Sequence, residues 1–155
     1  MPDILICGVG NKLKTDDGLG PFVIEELANR PLPRHVTLAD FGISGFKCAL
    51  HLEGYEKVVF IDAISLPGSP PGRLHRLDIP REDVLKSPNL SSFSVSLHET
   101  DLERILATAA VLNIYPPKVV VVGCQPAETS VALGLTAAVQ KAVPGIIEMV
   151  MAELN

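Results

Sequence analysis

The chain has 155 residues, 47 % of them hydrophobic and 20 % charged, with a formal net charge of -5 at pH 7. That length and apolar content predict a single domain spanning residues 1–155, with a core large enough to need no staples, and they exclude a disordered or fibrous protein. The acidic balance, with no Lys/Arg cluster, excludes an electrostatic nucleic-acid binder, whose phosphate contacts demand a basic face.

Cys7, Cys48 and Cys124 form no CxxC pair, which is the cysteine usage of a reducing cytosol rather than of a disulfide framework. Met-Pro-Asp leads at once into a strand-like run, without the basic and apolar regions of a signal peptide. The longest apolar runs, such as Val119 to Val122, fall far short of the ~20 residues of a membrane helix. A cytoplasmic protein with no membrane partner is expected.

Apolar runs of strand length alternate with stretches of helical period, the pattern of an α/β domain with a largely parallel sheet. Ile4 to Gly8 is the first strand, unbroken in its apolar character and so buried on both faces. The segment from Pro21 to Asn29 predicts a helix, with Val23, Ile24 and Leu27 on one side and Pro21 in a tolerant first turn. Val36 to Asp40 is the second strand, and Phe46 to Glu53 a short helix. Val58 to Ala63 is the third strand, again continuous and ending in Asp62. Gly72 to Leu77 lies between proline-rich segments and suits an edge strand. The loops Pro67 to Gly72 and Pro80 to Ser96 are long enough for mobility or function. Asp101 to Asn113 carries Leu102, Ile105, Leu106 and Ala109 at helical spacing. Val119 to Gly123, with four valines, asks for a central strand, and Leu133 to Leu154 reads as helix broken or kinked at Pro144-Gly145.

The first strand runs through Gly8-Val9-Gly10-Asn11 into Asp16-Asp17-Gly18. A dinucleotide fingerprint is suggested and fails: Leu13 stands where the third glycine belongs, and two carboxylates would repel a pyrophosphate. No Gly-Lys-Ser/Thr exists for a P-loop. One carboxylate is explained by helix capping, so a capping Asp16 with a site-facing Asp17 accounts for both. Asp62, at the end of a buried strand, is costly unless it meets solvent, a partner or a metal, or caps a turn from Ala63 to Ser65. Asp40 competes for the same role. Ser96-Leu97-His98-Glu99 has the form of a capping box, which sets His98 in the first turn of the next helix. His35, His51 and His75 read as ordinary surface residues. Two carboxylates and an imidazole from three strand-end or loop positions suit a borderline divalent ion such as nickel or zinc, with positions left open for water or substrate. Without a metal, the same groups can perform acid–base work on a bound water.

With these motifs in hand, the chain resembles the hydrogenase maturation endopeptidases, which trim the C-terminal extension from the large subunit of nickel-containing hydrogenases. The resemblance rests on Gly8-Val-Gly-Asn11 with Asp16-Asp17-Gly18-x-Gly20, then Asp40-x-Gly-x-Ser-Gly45, Val-Phe-Ile-Asp62-Ala63, His98-Glu99, and Gly123-Cys-Gln-Pro126 followed by Leu133-Gly-Leu-Thr136. It implies a mostly parallel, twisted five-stranded sheet flanked by helices on both faces, phosphorylase/hydrolase-like in kind. It also implies metal contacts, and with them the catalytic role, at Asp17, Asp62 and His98, and a substrate cleft at Asp40, Gly42 and Gly45. Asp17 stands where some members carry the longer Glu, and Ile43 where a smaller polar residue is common.

The implied partner is a hydrogenase large-subunit precursor already loaded with nickel, so that the ion arrives with the substrate. Cleavage then proceeds by metal polarisation of the scissile carbonyl or by a carboxylate-activated water. Two other readings remain at this point: a nickel-checking chaperone that binds the same precursor without cutting, and a nucleotide-binding α/β enzyme.

Overall fold

The computed structural model describes residues 2–86, 96–97 and 101–155. Its central sheet is ordered β2-β1-β3-β6-β4, from β1 (Ile4–Val9), β2 (Val36–Gly42), β3 (Lys57–Ser65), β4 (Leu74–Asp78) and β6 (Lys118–Cys124). The first three and β6 run parallel, while β4 is antiparallel at one edge. A two-residue strand, β5 (Ser96–Leu97), adds antiparallel to Ser65 and Ile64 at the end of β3. The five expected strands are all present, each within three residues of its expected bounds, with β4 at the edge and β6 inside.

The unbroken apolar runs have their expected cause. Every residue of β1 is buried, as are Val58 to Ile64 of β3 and Val119 to Cys124 of β6, because helices cover both faces. One face packs Leu5, Cys7, Phe60 and Val121 against α2 (Gly45–Leu50), α3 (Arg81–Lys86) and α4 (Asp101–Val111). The other packs Ile6, Val59, Ile61 and Val122 against α1 (Leu19–Ala28) and α5 (Ala137–Ala152).

Three expectations change. The loop expected from Pro80 to Ser96 contains α3, whose single buried residue, Val84, is too little apolar content to show a helical period. The last helix starts at Ala137 and runs unbroken to Ala152 with Pro144 inside it. Pro144 and Gln140 are both exposed, so the carbonyl that loses its N–H partner faces water and the helix tolerates the loss. Ser96 and Leu97 pair with β3, so Ser96 does not cap α4, which begins at Asp101.

Candidate functional site at the carboxyl ends of the strands

The turn after β1 is shaped by two glycines with different tasks. Gly10 adopts φ 124°, and a Cβ there would lie 2.0 Å from the Asp17 carbonyl oxygen and 3.4 Å from its Oδ1. Only glycine permits both the backbone angle and this approach. Gly20, in the first turn of α1, touches the sheet: a Cβ on it would meet the Val9 and Ile61 carbonyl oxygens at 2.4 and 2.5 Å. The close helix–strand packing that a dinucleotide fold obtains from its third glycine is therefore supplied here at position 20, and Leu13 is 59 % exposed.

Residues Thr15–Gly18 form a buried 3-10 turn that leads directly into α1. Asp17 is 5 % exposed, and its Oδ2 accepts the Asn11 N–H at 3.0 Å. This carboxylate occupies the loop amide that a phosphate-cradling turn offers to its ligand. Asp17 lies against Gly10, just past the end of β1. Register between β1 and β3 pairs Gly8 with Ile61, so Asp62 lies one row further towards the same end. Asp17 and Asp62 thus come from the carboxyl ends of adjacent parallel strands, where the crevice of an open α/β sheet lies.

Asp62 is 2 % exposed and lies inside β3, with three strand residues beyond it. Ala63 to Ser65 is extended chain rather than a turn, though Asp62 Oδ1 does accept the Ala63 N–H at 2.9 Å. Both carboxylates are buried. Gly123 pairs with Asp62, and there β3 and β6 approach so closely that a Cβ on residue 123 would fall 1.7 Å from the Asp62 carbonyl oxygen.

Asp16 does not cap α1; neither the 3-10 turn nor α1 has a side-chain cap. It is fully buried and points across to the segment after β6. Its carboxylate accepts the N–H groups of Ala127 at 2.8 Å, Glu128 at 3.1 Å and Thr136 at 2.8 Å, together with the Thr136 hydroxyl. Thr136 is the N-cap residue of α5, so Asp16 places its charge at the positive end of that helix. Backbone bonds from Thr15 N–H to Ala132, Ala132 N–H to Leu13 and Asp16 N–H to Glu128 complete the junction. Sequence reasoning missed this partner because nothing local connects positions 16 and 136.

Asp40 pairs in register with Gly8, one row before Asp62, so the pleat sends it to the opposite face of the sheet. It is exposed and accepts the Gly42 N–H at 3.0 Å. Gly42, at φ 51°, takes the Gly10 N–H on its carbonyl at 3.1 Å and ties the ends of β1 and β2 together. Gly45 opens α2 beside a groove of about 470 Å³, lined also by Ile43, Phe46, Arg104, Ala107 and Thr108. Asp40 therefore shapes the turn that leads from β2 to α2. His98 lies outside the described residues, and among the described residues no three His, Cys, Asp or Glu side chains are grouped to hold a metal ion. The carboxylates supply hard oxygen donors, a set that suits a divalent cation only in part.

The thiols play no part in this arrangement. Cys7 and Cys48 are buried with sulfurs 3.3 Å apart; burial, then Cys48 and the Asp40 and Asp62 charges, hold the Cys7 thiol well above its ordinary range. Burial and the Asp16 charge push Cys124 up to about 12. Among the described residues no helix is long and apolar enough to cross a membrane.

Comparison with known proteins agrees with this architecture. The family model described as hydrogenase maturation protease matches residues 21–153. A putative hydrogenase maturation protease of Methanocaldococcus jannaschii is 35 % identical, covering 99 % of this chain and 97 % of its own length. The coenzyme F420 hydrogenase subunit delta of Methanothermobacter thermautotrophicus is 34 % identical, over 99 % and 95 % respectively. Among solved structures, the hydrogenase maturating endopeptidase HybD of E. coli superposes with a TM-score of 0.79 at 26 % identity, covering 98 % of this chain and 91 % of that one. The hydrogenase 2 maturation peptidase of a Thaumarchaeota archaeon gives 0.75 at 35 % identity, covering 99 % and 98 %. On a family match over most of its length, and on relatives of this identity and coverage, the chain belongs to the hydrogenase maturation proteases, a family of endopeptidases.

Proposed function

We propose that this endopeptidase removes the C-terminal extension of the large-subunit precursor of a nickel-containing hydrogenase, and that it does so only once the precursor carries its nickel. The observation that carries the reading is the pair of buried carboxylates, Asp17 and Asp62, which lie towards the carboxyl ends of the adjacent parallel strands β1 and β3. The ion belongs to the substrate. In this reading Asp17, Asp62 and His98 take up positions left open on it, which accounts for a protein donor set too small to hold an ion tightly by itself.

Each residue then has a task. The Asn11 N–H holds Asp17 Oδ2 and the Ala63 N–H holds Asp62 Oδ1, which fixes both carboxylates before substrate arrives. A carboxylate so placed accepts a proton from the attacking water, while the substrate's ion polarises the scissile carbonyl. The glycine-rich turn from Asp40 to Gly45 borders the path of the peptide. The work is proposed to take place in the cytoplasm.

The test uses purified nickel-loaded precursor. The wild-type chain shortens it, Asp62→Asn does not, and both give the same circular dichroism. Cleavage by Asp62→Asn at the wild-type rate would refute the site, and equal cleavage of nickel-free precursor would refute the ion's role. A precursor left full-length by the wild type under both conditions would refute processing itself.

A further inference from the structure

We propose that the groove between α2 and α4 is a docking site for a segment of the hydrogenase precursor that carries an apolar side chain beside an acidic one; this rests on the processing reading above. The groove, about 470 Å³, is lined by Ile43, Gly45 and Phe46 on one wall and by Arg104, Ala107 and Thr108 on the other. Ala107 and Thr108 lie three and four residues after Arg104, so the three share one face of α4.

The apolar wall is strongly exposed. Ile43 is 68 % accessible, Phe46 67 % and Leu50, one turn further along α2, 47 %. Three large apolar side chains exposed within eight residues are a cost in water that a partner removes. Nothing in the packing of α2 requires them, because that helix already buries Cys48 and Ala49.

Charge selects the partner. Among the described residues Arg104 is the one charged side chain lining the groove and forms no ion pair, in a chain whose net charge is -5. A guanidinium and an aromatic ring lining one groove suit a carboxylate flanked by an apolar side chain, and Arg and aromatic side chains are frequent interface anchors. A second copy of this chain fits less well, since a two-fold contact centred here would bring two Arg104 side chains together. The groove also adjoins the Asp40–Gly45 turn after β2, at the carboxyl end of the parallel strands, where β1 leads into Asp17 and β3 carries Asp62. A segment seated on it lies on the α2 side of that end of the sheet.

The experiment measures the affinity of the full chain for purified nickel-loaded precursor by biolayer interferometry at low and moderate salt, alongside KM and kcat. Arg104→Glu and Phe46→Ser are expected each to weaken binding and raise KM about tenfold or more, with kcat at saturation unchanged. Arg104→Lys recovers most of the loss, and Val111→Ser, exposed elsewhere on α4, changes nothing. Wild-type affinity in both Arg104→Glu and Phe46→Ser overturns the proposal, as does failure of the wild type to bind the precursor at all. A concentration-dependent dimer that Phe46→Ser abolishes, with precursor binding unaltered, overturns it in favour of a second copy. If the wild type binds but never shortens the precursor, and the variants bind less, the groove stands and the processing reading falls. If all variants cut with the wild-type KM, processing stands and the groove falls.

Discussion

Replacing Asp16 by asparagine should destabilise the protein without touching the carboxylates proposed to meet the substrate. Asparagine keeps the size of the side chain, but it accepts through one oxygen and turns an amide NH2 towards donors. Four donors converge on the native carboxylate: the N–H groups of Ala127, Glu128 and Thr136, and the Thr136 hydroxyl. The hydroxyl can rotate to find another acceptor, whereas the backbone donors cannot. One amide oxygen serves about two of them, which leaves at least one buried N–H unmade at ~1–3 kcal/mol and weakens the others by loss of the charge. The total comes to about 2–5 kcal/mol, a large share of the ~5–15 kcal/mol that holds a domain folded. Urea unfolding at pH 7, followed by circular dichroism, measures it. Thr136→Val removes only the hydroxyl bond and should cost about 1 kcal/mol, and the double variant should be clearly non-additive because both changes strike one cluster. Hydrogen exchange should accelerate at the Ala127 and Glu128 amides in Asp16→Asn. An unfolding free energy within ~0.5 kcal/mol of wild type, with those amides still protected, would refute the role assigned to Asp16.

Three further outcomes follow from the same geometry. Gly10→Ala must relieve both a φ of 124° and a 2.0 Å approach to the Asp17 carbonyl oxygen, so it should cost about 2–4 kcal/mol and abolish precursor cleavage together; full activity would show that this turn does not place Asp17. Burial alone would raise the Glu153 carboxyl, but bonds from Arg76 and Lys57 outweigh it and hold it below its ordinary range. A depressed carboxyl lends stability that is present above its unfolded pKa and lost as pH falls through its folded one, so the deficit of Glu153→Gln at pH 7 should shrink through the acid range; a deficit constant from pH 7 to acid would contradict this. Native protein should resist iodoacetamide at pH 8 at Cys7, Cys48 and Cys124 by mass spectrometry, and take up three adducts in urea, since all three are buried thiols; rapid labelling of folded protein with loss of cleavage would point to thiol chemistry.

The strands were legible because burial on both faces leaves little freedom of composition: Ile4 to Val9 and Val58 to Ile64 are apolar for the same reason that they are central. Asp62 was legible for the complementary reason, as a charge interrupting such a run. The break expected at Pro144 did not form because whether a lost hydrogen bond interrupts a helix depends on which face meets water, and that face is set by packing. The short α3 lacked a readable period.

The amino-acid order by itself determined the α/β alternation, the parallel strands and the acidic turn, since these follow from local periodicity and from residues such as Gly10 that only one backbone geometry accepts. The division of labour between adjacent carboxylates was decided only by the tertiary structure. Asp16 and Asp17 are indistinguishable along the chain, yet the turn aims one at Ala127, Glu128 and Thr136 and holds the other against Gly10 and Asn11. Asp40 and Asp62 both sit near strand ends, and a single row of register sends them to opposite faces. Hydrogen-bond partners more than 100 residues apart, and the parity of a pleat between neighbouring strands, are properties of the folded sheet, and no local pattern encodes them.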